Sequence, residues 1–96
     1  MVTSNEPGIY RTNEYGIRTE NLIVTQECKK TKDFGTFYDF ETITLCPIDT
    51  TPIVKKLLTK KELDWFNNYH KMVYNKLKKY LSKEEKAWLK KKTKSI

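Results

Sequence analysis

The chain has 96 residues, of which 38% are hydrophobic and 12% aromatic, and its formal net charge is +7. This length suits one small domain or part of a larger one, and the composition excludes a disordered chain. No apolar run approaches the ~20 residues of a membrane-spanning helix, and the residues after Met1 lack the basic start and apolar core of a secretory leader. We therefore expect a cytoplasmic protein with no membrane partner.

The charge is distributed unevenly between the two halves of the chain. Residues 1–50 carry 5 basic and 8 acidic side chains, whereas residues 51–96 carry 14 lysines, no arginine and 4 acidic side chains. Reading of bases and bidentate binding of phosphate favour arginine over lysine. Solvated, lysine-rich helix faces are the more common cause of such a charge, so we expect no nucleic-acid partner.

Strand signals dominate the first half. Residues 1–4 predict a short strand, and Pro7 with Gly8 predicts a turn. The polar residues 9–16 predict a loop, since Asn13 and Gly16 suit irregular structure.

Two longer strands are predicted next. Residues 17–28 and 34–45 are rich in β-branched and aromatic side chains, and residues 29–33 predict the hairpin turn between them. Cys28 and Cys46 would then lie at opposite ends of this hairpin, beyond the reach of a disulfide. Both are predicted to be free thiols.

Helix signals begin after Asp49. Residues 53–58 predict a short helix, and residues 59–62 and 82–85 each have the spacing of a capping box, which predicts two further helix starts. Apolar side chains then recur at spacings of three and four, as in an amphipathic helix: Leu63, Phe66, Tyr69, Met72, Val73 and Leu77. The predicted fold class is therefore α+β, with an antiparallel β-hairpin or small sheet followed by two or three helices.

Two carboxylates are candidates for chemistry. Glu6 directly precedes Pro7 and Gly8, and Glu20 lies inside the predicted strand 17–28, on the same face as Arg18. Burying an unpaired charge costs several kcal/mol, so Glu20 needs a partner. One interpretation is structural, with a Glu20–Arg18 ion pair and a turn-forming Glu6. The other is functional, with the two carboxylates as hard oxygen ligands for a divalent metal.

The segments around both carboxylates resemble a known enzyme family. Ser-Asn-Glu-Pro-Gly at residues 4–8 and Gly-Ile-Arg-Thr-Glu-Asn at residues 16–21 are similar to the last two metal-binding motifs of the Xaa-Pro aminopeptidases, also called aminopeptidase P. These enzymes are pita-bread metallopeptidases. Residues 40–49 resemble the segment that leads into the family's C-terminal extension. Thr19 is a departure, because the family more often has an aliphatic residue there.

The resemblance continues through the second half of the chain. Residues 58–65, the pair Tyr69-His70 and the pair Trp88-Leu89 resemble the helices of the C-terminal extension. It implies that residues 1–48 are the C-terminal part of a pita-bread catalytic domain and that residues 49–96 are a helical extension.

The resemblance also implies roles for individual residues. Glu6 would be a terminal ligand of one metal, Glu20 would bridge two metals, and Arg18 would be the charge beside Glu20. The cofactors implied are two divalent metals, manganese most often, with zinc as the alternative. The substrates implied are peptides with proline in the second position.

Other parts of the family's active site have no counterpart in this sequence. Two aspartates and a metal-binding histidine precede the Glu-Pro-Gly motif in the family, whereas only five residues precede Glu6, none of them Asp or His. His70, the single histidine, is interpreted as a surface or packing residue. We therefore expect a C-terminal fragment beginning at an internal methionine of a longer gene, inactive alone and without a tightly bound metal.

A second hypothesis is an interaction module derived from that family. Strands taken from a larger sheet would expose edges and apolar faces, which favour pairing with another chain. This hypothesis predicts a homodimer or larger assembly.

Overall fold

The computed structural model describes residues 1–96 as two compact units, Met1–Thr44 and Leu45–Ile96. All strands lie in the first unit, which we call the strand unit, and all helices lie in the second, the helical unit. The predicted α+β class, with a small antiparallel sheet followed by helices, is confirmed.

Five strands form the strand unit: β1 (Val2–Asn5), β2 (Gly8–Arg11), β3 (Tyr15–Arg18), β4 (Asn21–Thr31) and β5 (Gly35–Thr42). Strands β1, β4 and β5 form one antiparallel sheet with β4 in the centre, and β2 pairs with β3 in a second sheet.

One register runs through both sheets. β1 pairs with β4 as far as Asn5 opposite Asn21, and β2 pairs with β3 from Gly8 opposite Arg18. In every pair of both ladders the two residue numbers add to 26. The two sheets therefore share one long hairpin, which is interrupted between them.

The first hairpin corrects two strand predictions. The predicted loop 9–16 is wrong, because these residues form most of β2 and β3, with a turn at 12–14. Asn13 has a φ of 61° in that turn, a left-handed conformation that asparagine tolerates better than most residues. The predicted strand 17–28 is also wrong as one element, since it is interrupted at residues 19 and 20.

The turn of the β4–β5 hairpin lies at residues 32–34, whereas residues 29–33 were predicted. β4 extends to Thr31, whose hydroxyl accepts from the amide of Phe34 at 3.0 Å and donates to the carbonyl of Gly35 at 2.8 Å. Gly35 has a φ of +79°, which glycine adopts without steric cost. The prediction of a turn at 29–33 did not take these two hydrogen bonds of the Thr31 hydroxyl into account. Cys28 is the extra residue of a bulge in β4.

Two helices form the framework of the helical unit: α1 (Lys60–Leu77) and α2 (Lys83–Lys92). The helix expected at 53–58 is only a 3₁₀ turn at Lys55–Leu57, and a second such turn, Lys78–Tyr80, follows α1. Neither α1 nor α2 combines the length and hydropathy of a membrane span.

Side-chain caps start both helices. The box before α2 is complete, because the Ser82 hydroxyl accepts from the amide of Glu85 and the Glu85 carboxylate accepts from the amide of Ser82. Before α1 only one of the two predicted bonds forms, in which the Thr59 hydroxyl accepts from the amide of Glu62 at 3.1 Å.

Burial is concentrated in the helical unit. Its core consists of four buried apolar side chains: Phe66, Tyr69, Val73 and Leu89. In the strand unit the one buried residue is Asn21. Both cysteines are free, as predicted, and both are exposed.

Candidate functional site

Glu6 and Glu20 occupy the interruption between the two ladders of the long hairpin. Glu6 lies between β1 and β2, and Glu20 lies between β3 and β4. The shared register places the two residues opposite each other, and the amide of Thr19 donates to the carbonyl of Pro7 at 3.1 Å within the gap. Directly opposed residues of an antiparallel pair point to the same face, with Cβ atoms about 4.5–5.5 Å apart. The register thus sets Glu6 and Glu20, the two residues singled out in the sequence, opposite each other across the hairpin.

The residues after Glu6 explain why the ladder opens there. Pro7 has no amide hydrogen and cannot donate to the ladder. A Cβ placed on Gly8 would lie 2.9 Å from the carbonyl oxygen of Ile17, so a larger residue would push the strands apart. The Glu-Pro-Gly sequence therefore combines a carboxylate, a ladder break and a close approach of two strands.

Arg18 forms an ion pair with Glu20. The distance from Arg18 Nε to Glu20 Oε2 is 3.3 Å, and about half of each side chain is exposed. Exposed pairs of this kind contribute only about 0–1 kcal/mol to stability. The structural interpretation expected a buried or edge Glu20–Arg18 ion pair, and the pair is present with both side chains half exposed.

The donor set matches part of a site for a hard divalent cation. Carboxylate oxygens are ligands that Mg²⁺, Ca²⁺ and Mn²⁺ prefer, but such ions take about six or more ligands. No group of three or more His, Cys, Asp or Glu side chains lies close enough to hold a metal. Glu6 and Glu20 therefore suit two positions of a metal site whose other ligands this chain does not bring to them.

Asn21, beside Glu20, was not singled out in the sequence. It is 7% exposed, it is paired with Asn5 in the ladder, and its side-chain oxygen has no hydrogen-bond partner. Strand alternation turns Asn21 to the opposite face from Glu20. Its position at the start of the central strand is the signal that could have identified it, because only that strand has neighbours on both sides.

A second polar arrangement lies within the helical unit. Nε2 of His70 accepts from the amide of Ile48 at 2.9 Å, and the hydroxyl of Tyr69 donates to the carbonyl of Cys46 at 2.8 Å. His70 has no exposed surface, so it is a packing residue and not a surface one. Its spacing of four from Phe66 and three from Val73 could have shown that it shares the buried face of α1.

Comparison with known proteins gives the family. The sequence model described as the C-terminal region of peptidase_M24 matches residues 36–96. The chain belongs to the M24 peptidase family. Probable Xaa-Pro aminopeptidases P of Coprinopsis cinerea and Arthroderma benhamiae are 42% and 41% identical to it, over 100% and 99% of this chain. The resemblance to Xaa-Pro aminopeptidases is thereby confirmed.

A solved structure supports the same assignment. The X-prolyl aminopeptidase of Caenorhabditis elegans, described as a cytosolic enzyme with a di-nuclear active site, matches 99% of this M24 chain with 36% identity and a TM-score of 0.85. The chain spans 16% of that structure and 14–16% of the two fungal relatives. The chain is thus a member of a peptidase family, and it covers about one-sixth of the length of these relatives.

Proposed function

We propose that this chain is the C-terminal part of an Xaa-Pro aminopeptidase and supplies Glu6 and Glu20 to a two-metal centre. The supporting observation is the register that sets these two carboxylates opposite each other at a break in the ladder. Residues 1–48 would complete the catalytic domain and residues 49–96 would form its helical extension. The substrates would be peptides with proline second, acted on in the cytoplasm.

The roles of the chain's own residues follow from their placement. Glu20, paired with Arg18, suits the bridging position, because the guanidinium restrains its carboxylate while leaving oxygens open to a ligand. Glu6, opposite it, suits a terminal position. When bound, two divalent metals, manganese first and zinc as the alternative, would activate a water and polarise the scissile carbonyl.

A paramagnetic titration tests the ligand assignment without requiring activity. Mn²⁺ added to the isotope-labelled chain should broaden the amide signals of residues 4–8 and 17–21 before all others. Because two carboxylates are a sparse site, half-saturation should need ~10⁻³ M Mn²⁺ or more. Glu20→Gln should remove the local broadening.

Glu14→Gln is the matched control, since Glu14 lies at the exposed tip of the same hairpin. It should leave the broadening around Glu6 unchanged. Broadening that spreads over all exposed carboxylates, or that survives Glu20→Gln, would refute the assignment. A micromolar site that needs both glutamates would refute weak binding by the isolated chain.

The isolated chain should not hydrolyse Arg-Pro-Pro, even with Mn²⁺ present. The reason is that no third metal ligand lies near the carboxylate pair. The measurement is release of arginine by purified chain. Turnover that survives purification and disappears in Glu20→Gln would contradict the expectation of inactivity.

We also propose a non-catalytic alternative, a homodimer or larger assembly formed through residues 17–45. The observation that favours it is the open surface of the strand unit, where Leu22, Phe37 and Phe40 are 45%, 49% and 63% exposed. A closed two-fold dimer would cover such side chains. No nucleic-acid or membrane partner is proposed.

Light scattering at high micromolar concentration tests the alternative. The chain should have at least twice its monomer mass, and replacing Leu22 and Val24 together by Lys should reduce the mass to that of a monomer. Replacing Val54 and Leu57 together by Lys in the helical unit is the control and should leave the mass unchanged. A monomeric parent chain would rule the assembly out.

A further inference from the structure

The segment that precedes the 3₁₀ turn at Lys55–Leu57 is tied to α1 at two points. The hydroxyl of Tyr69 donates to the carbonyl of Cys46, and Nε2 of His70 accepts from the amide of Ile48. Tyr69 and His70 are adjacent on the helix. The two bonds bracket Pro47, which has no amide hydrogen to donate. Apart from a contact of the Cys46 thiol with the carbonyl of Pro47 at 3.6 Å, the hydrogen bonds of segment 46–48 come from side chains of α1.

The His70 bond requires a neutral imidazole. Nε2 accepts a hydrogen bond, so the ring proton must be on Nδ1. Protonation would turn Nε2 into a donor that faces the Ile48 donor. It would also place a charge on a side chain with no exposed surface, packed edge-on against Phe66 at a ring-centroid distance of 4.6 Å.

We propose that His70 is an acid-sensitive latch, which holds segment 46–48 on α1 when neutral and releases it when protonated. The latch lies wholly within the helical unit. It stands whether or not Glu6 and Glu20 bind a metal.

The residues of α1 next to His70 carry no negative charge that would stabilise an imidazolium. The residues three and four positions away on the helix are Phe66, Asn67, Val73 and Tyr74, none of which carries a charge at neutral pH. Tyr69 is the titratable neighbour, and burial raises the pKa of its phenol, so it remains neutral.

The carboxylates nearest to the segment lie on the segment itself and on α2, where Glu84 and Glu85 line a groove beside Cys46 and Pro47 and Glu85 accepts from the amide of Ser82. On the segment, Cys46 is a thiol, and the carboxylate of Asp49 already accepts from the amide of Thr51 at 2.9 Å. From α2, Leu89 packs in the same core as Tyr69, and the lysine that acts on Asp49 is Lys92. None of these groups forms a hydrogen bond with the His70 ring, whose one partner is the amide of Ile48.

The sign of the pH dependence follows from burial. Burial lowers the pKa of His70, so the released state binds the proton more readily than the latched state. The contribution of the latch to stability is complete above the ordinary histidine pKa of about 6.5. It is lost as the pH falls below that value towards the lower pKa of the latched form.

The experiment is a nuclear magnetic resonance titration of the 96-residue chain from pH 8 to pH 4.5. His70 is the one histidine, so its ring nitrogens are unambiguous. We expect the Nδ1–H tautomer at pH 8 and a midpoint below about 6.5. The exchange protection factor of the Ile48 amide should fall about tenfold or more across the same transition, as one hydrogen bond to a buried ring is lost. A midpoint at or above 6.5, or Ile48 protection that does not follow the titration, would overturn the latch.

Two variants separate the latch from simple packing. His70→Gln keeps a side-chain acceptor but cannot titrate, so Ile48 protection should become independent of pH between 5 and 7. Tyr69→Phe removes the other bond and should lower protection at every pH while keeping the dependence. A pH dependence that persists in His70→Gln would overturn the proposal, and if that variant does not fold, the titration of the parent chain decides.

Discussion

The strand unit and the helical unit are held together by different kinds of interaction. The helical unit buries four apolar side chains and encloses a histidine, whereas the strand unit buries a single asparagine and relies on backbone ladders and turn geometry. A long β-hairpin can thus keep a register that aligns Glu6 with Glu20 without an apolar core beneath it. The same lack of a core leaves its aromatic and aliphatic side chains open to contact with another surface.

The largest expected effect comes from deleting an apolar side chain in the core of the helical unit. Leu89→Ala removes a side chain that is 2% exposed in the helical core and should cost about 2–5 kcal/mol of unfolding free energy. Urea unfolding followed by tryptophan fluorescence measures it, because Trp65 and Trp88 both lie in the helical unit.

Leu57→Ala is the matched control, with the same change at a side chain that is 75% exposed. Its effect should stay within about 0.5 kcal/mol. Equal effects of the two substitutions would mean that Leu89 contributes no more to stability than an exposed leucine.

A backbone substitution should matter more in the strand unit than any single apolar deletion. Gly35→Ala keeps open space around the new methyl group but forces alanine to a φ of +79°, at a cost of about 1–2 kcal/mol. Amide exchange of Thr31 to Thr42 should accelerate accordingly, while Asp33→Ala in the same turn should change it little. Unchanged exchange in Gly35→Ala would show that turn geometry does not hold this hairpin.

The smallest of the three effects concerns the start of α2. Ser82→Ala removes the hydroxyl that accepts from the Glu85 amide and should cost about 1 kcal/mol. Helix content by circular dichroism and urea unfolding both report it. Ser95→Ala, at an exposed position beyond the helix, should be neutral. Were the two variants equally stable, the cap would not contribute.

Much of the helical unit follows from sequence because its signals are local. The spacing of Phe66, Tyr69 and Val73 fixes the buried face of α1, and Ser82 with Glu85 fixes the start of α2. The role of His70 could not be read in the same way, since its partner Ile48 is 22 residues away. The helix expected at 53–58 is reduced to a 3₁₀ turn that buries no residue, so packing does not extend the helix that the local sequence starts.

The strand unit was harder to predict because its decisive contacts are not local. The hairpin of β2 and β3 depends on Asn13 adopting a left-handed conformation, and no Asn-Gly or Asp-Gly pair announces it. The motifs around Glu6 and Glu20 identified both residues, yet their opposition emerges only from the register. Glu20 was expected within a strand because Pro7, which opens the ladder beside it, lies on the other side of the hairpin.

Because the register is continuous, the number of residues in β2 and β3 determines whether Glu6 and Glu20 lie opposite each other. Each residue advances a strand by about 3.3 Å and reverses the face of its side chain. Inserting one residue into β2 alone would therefore move Glu6 out of line with Glu20 and turn one carboxylate to the far side, while a change of residue type at the exposed tip would not. An insertion that lengthens β2 and β3 equally would extend the hairpin and keep Glu6 opposite Glu20, whereas one that lengthens a single strand would not.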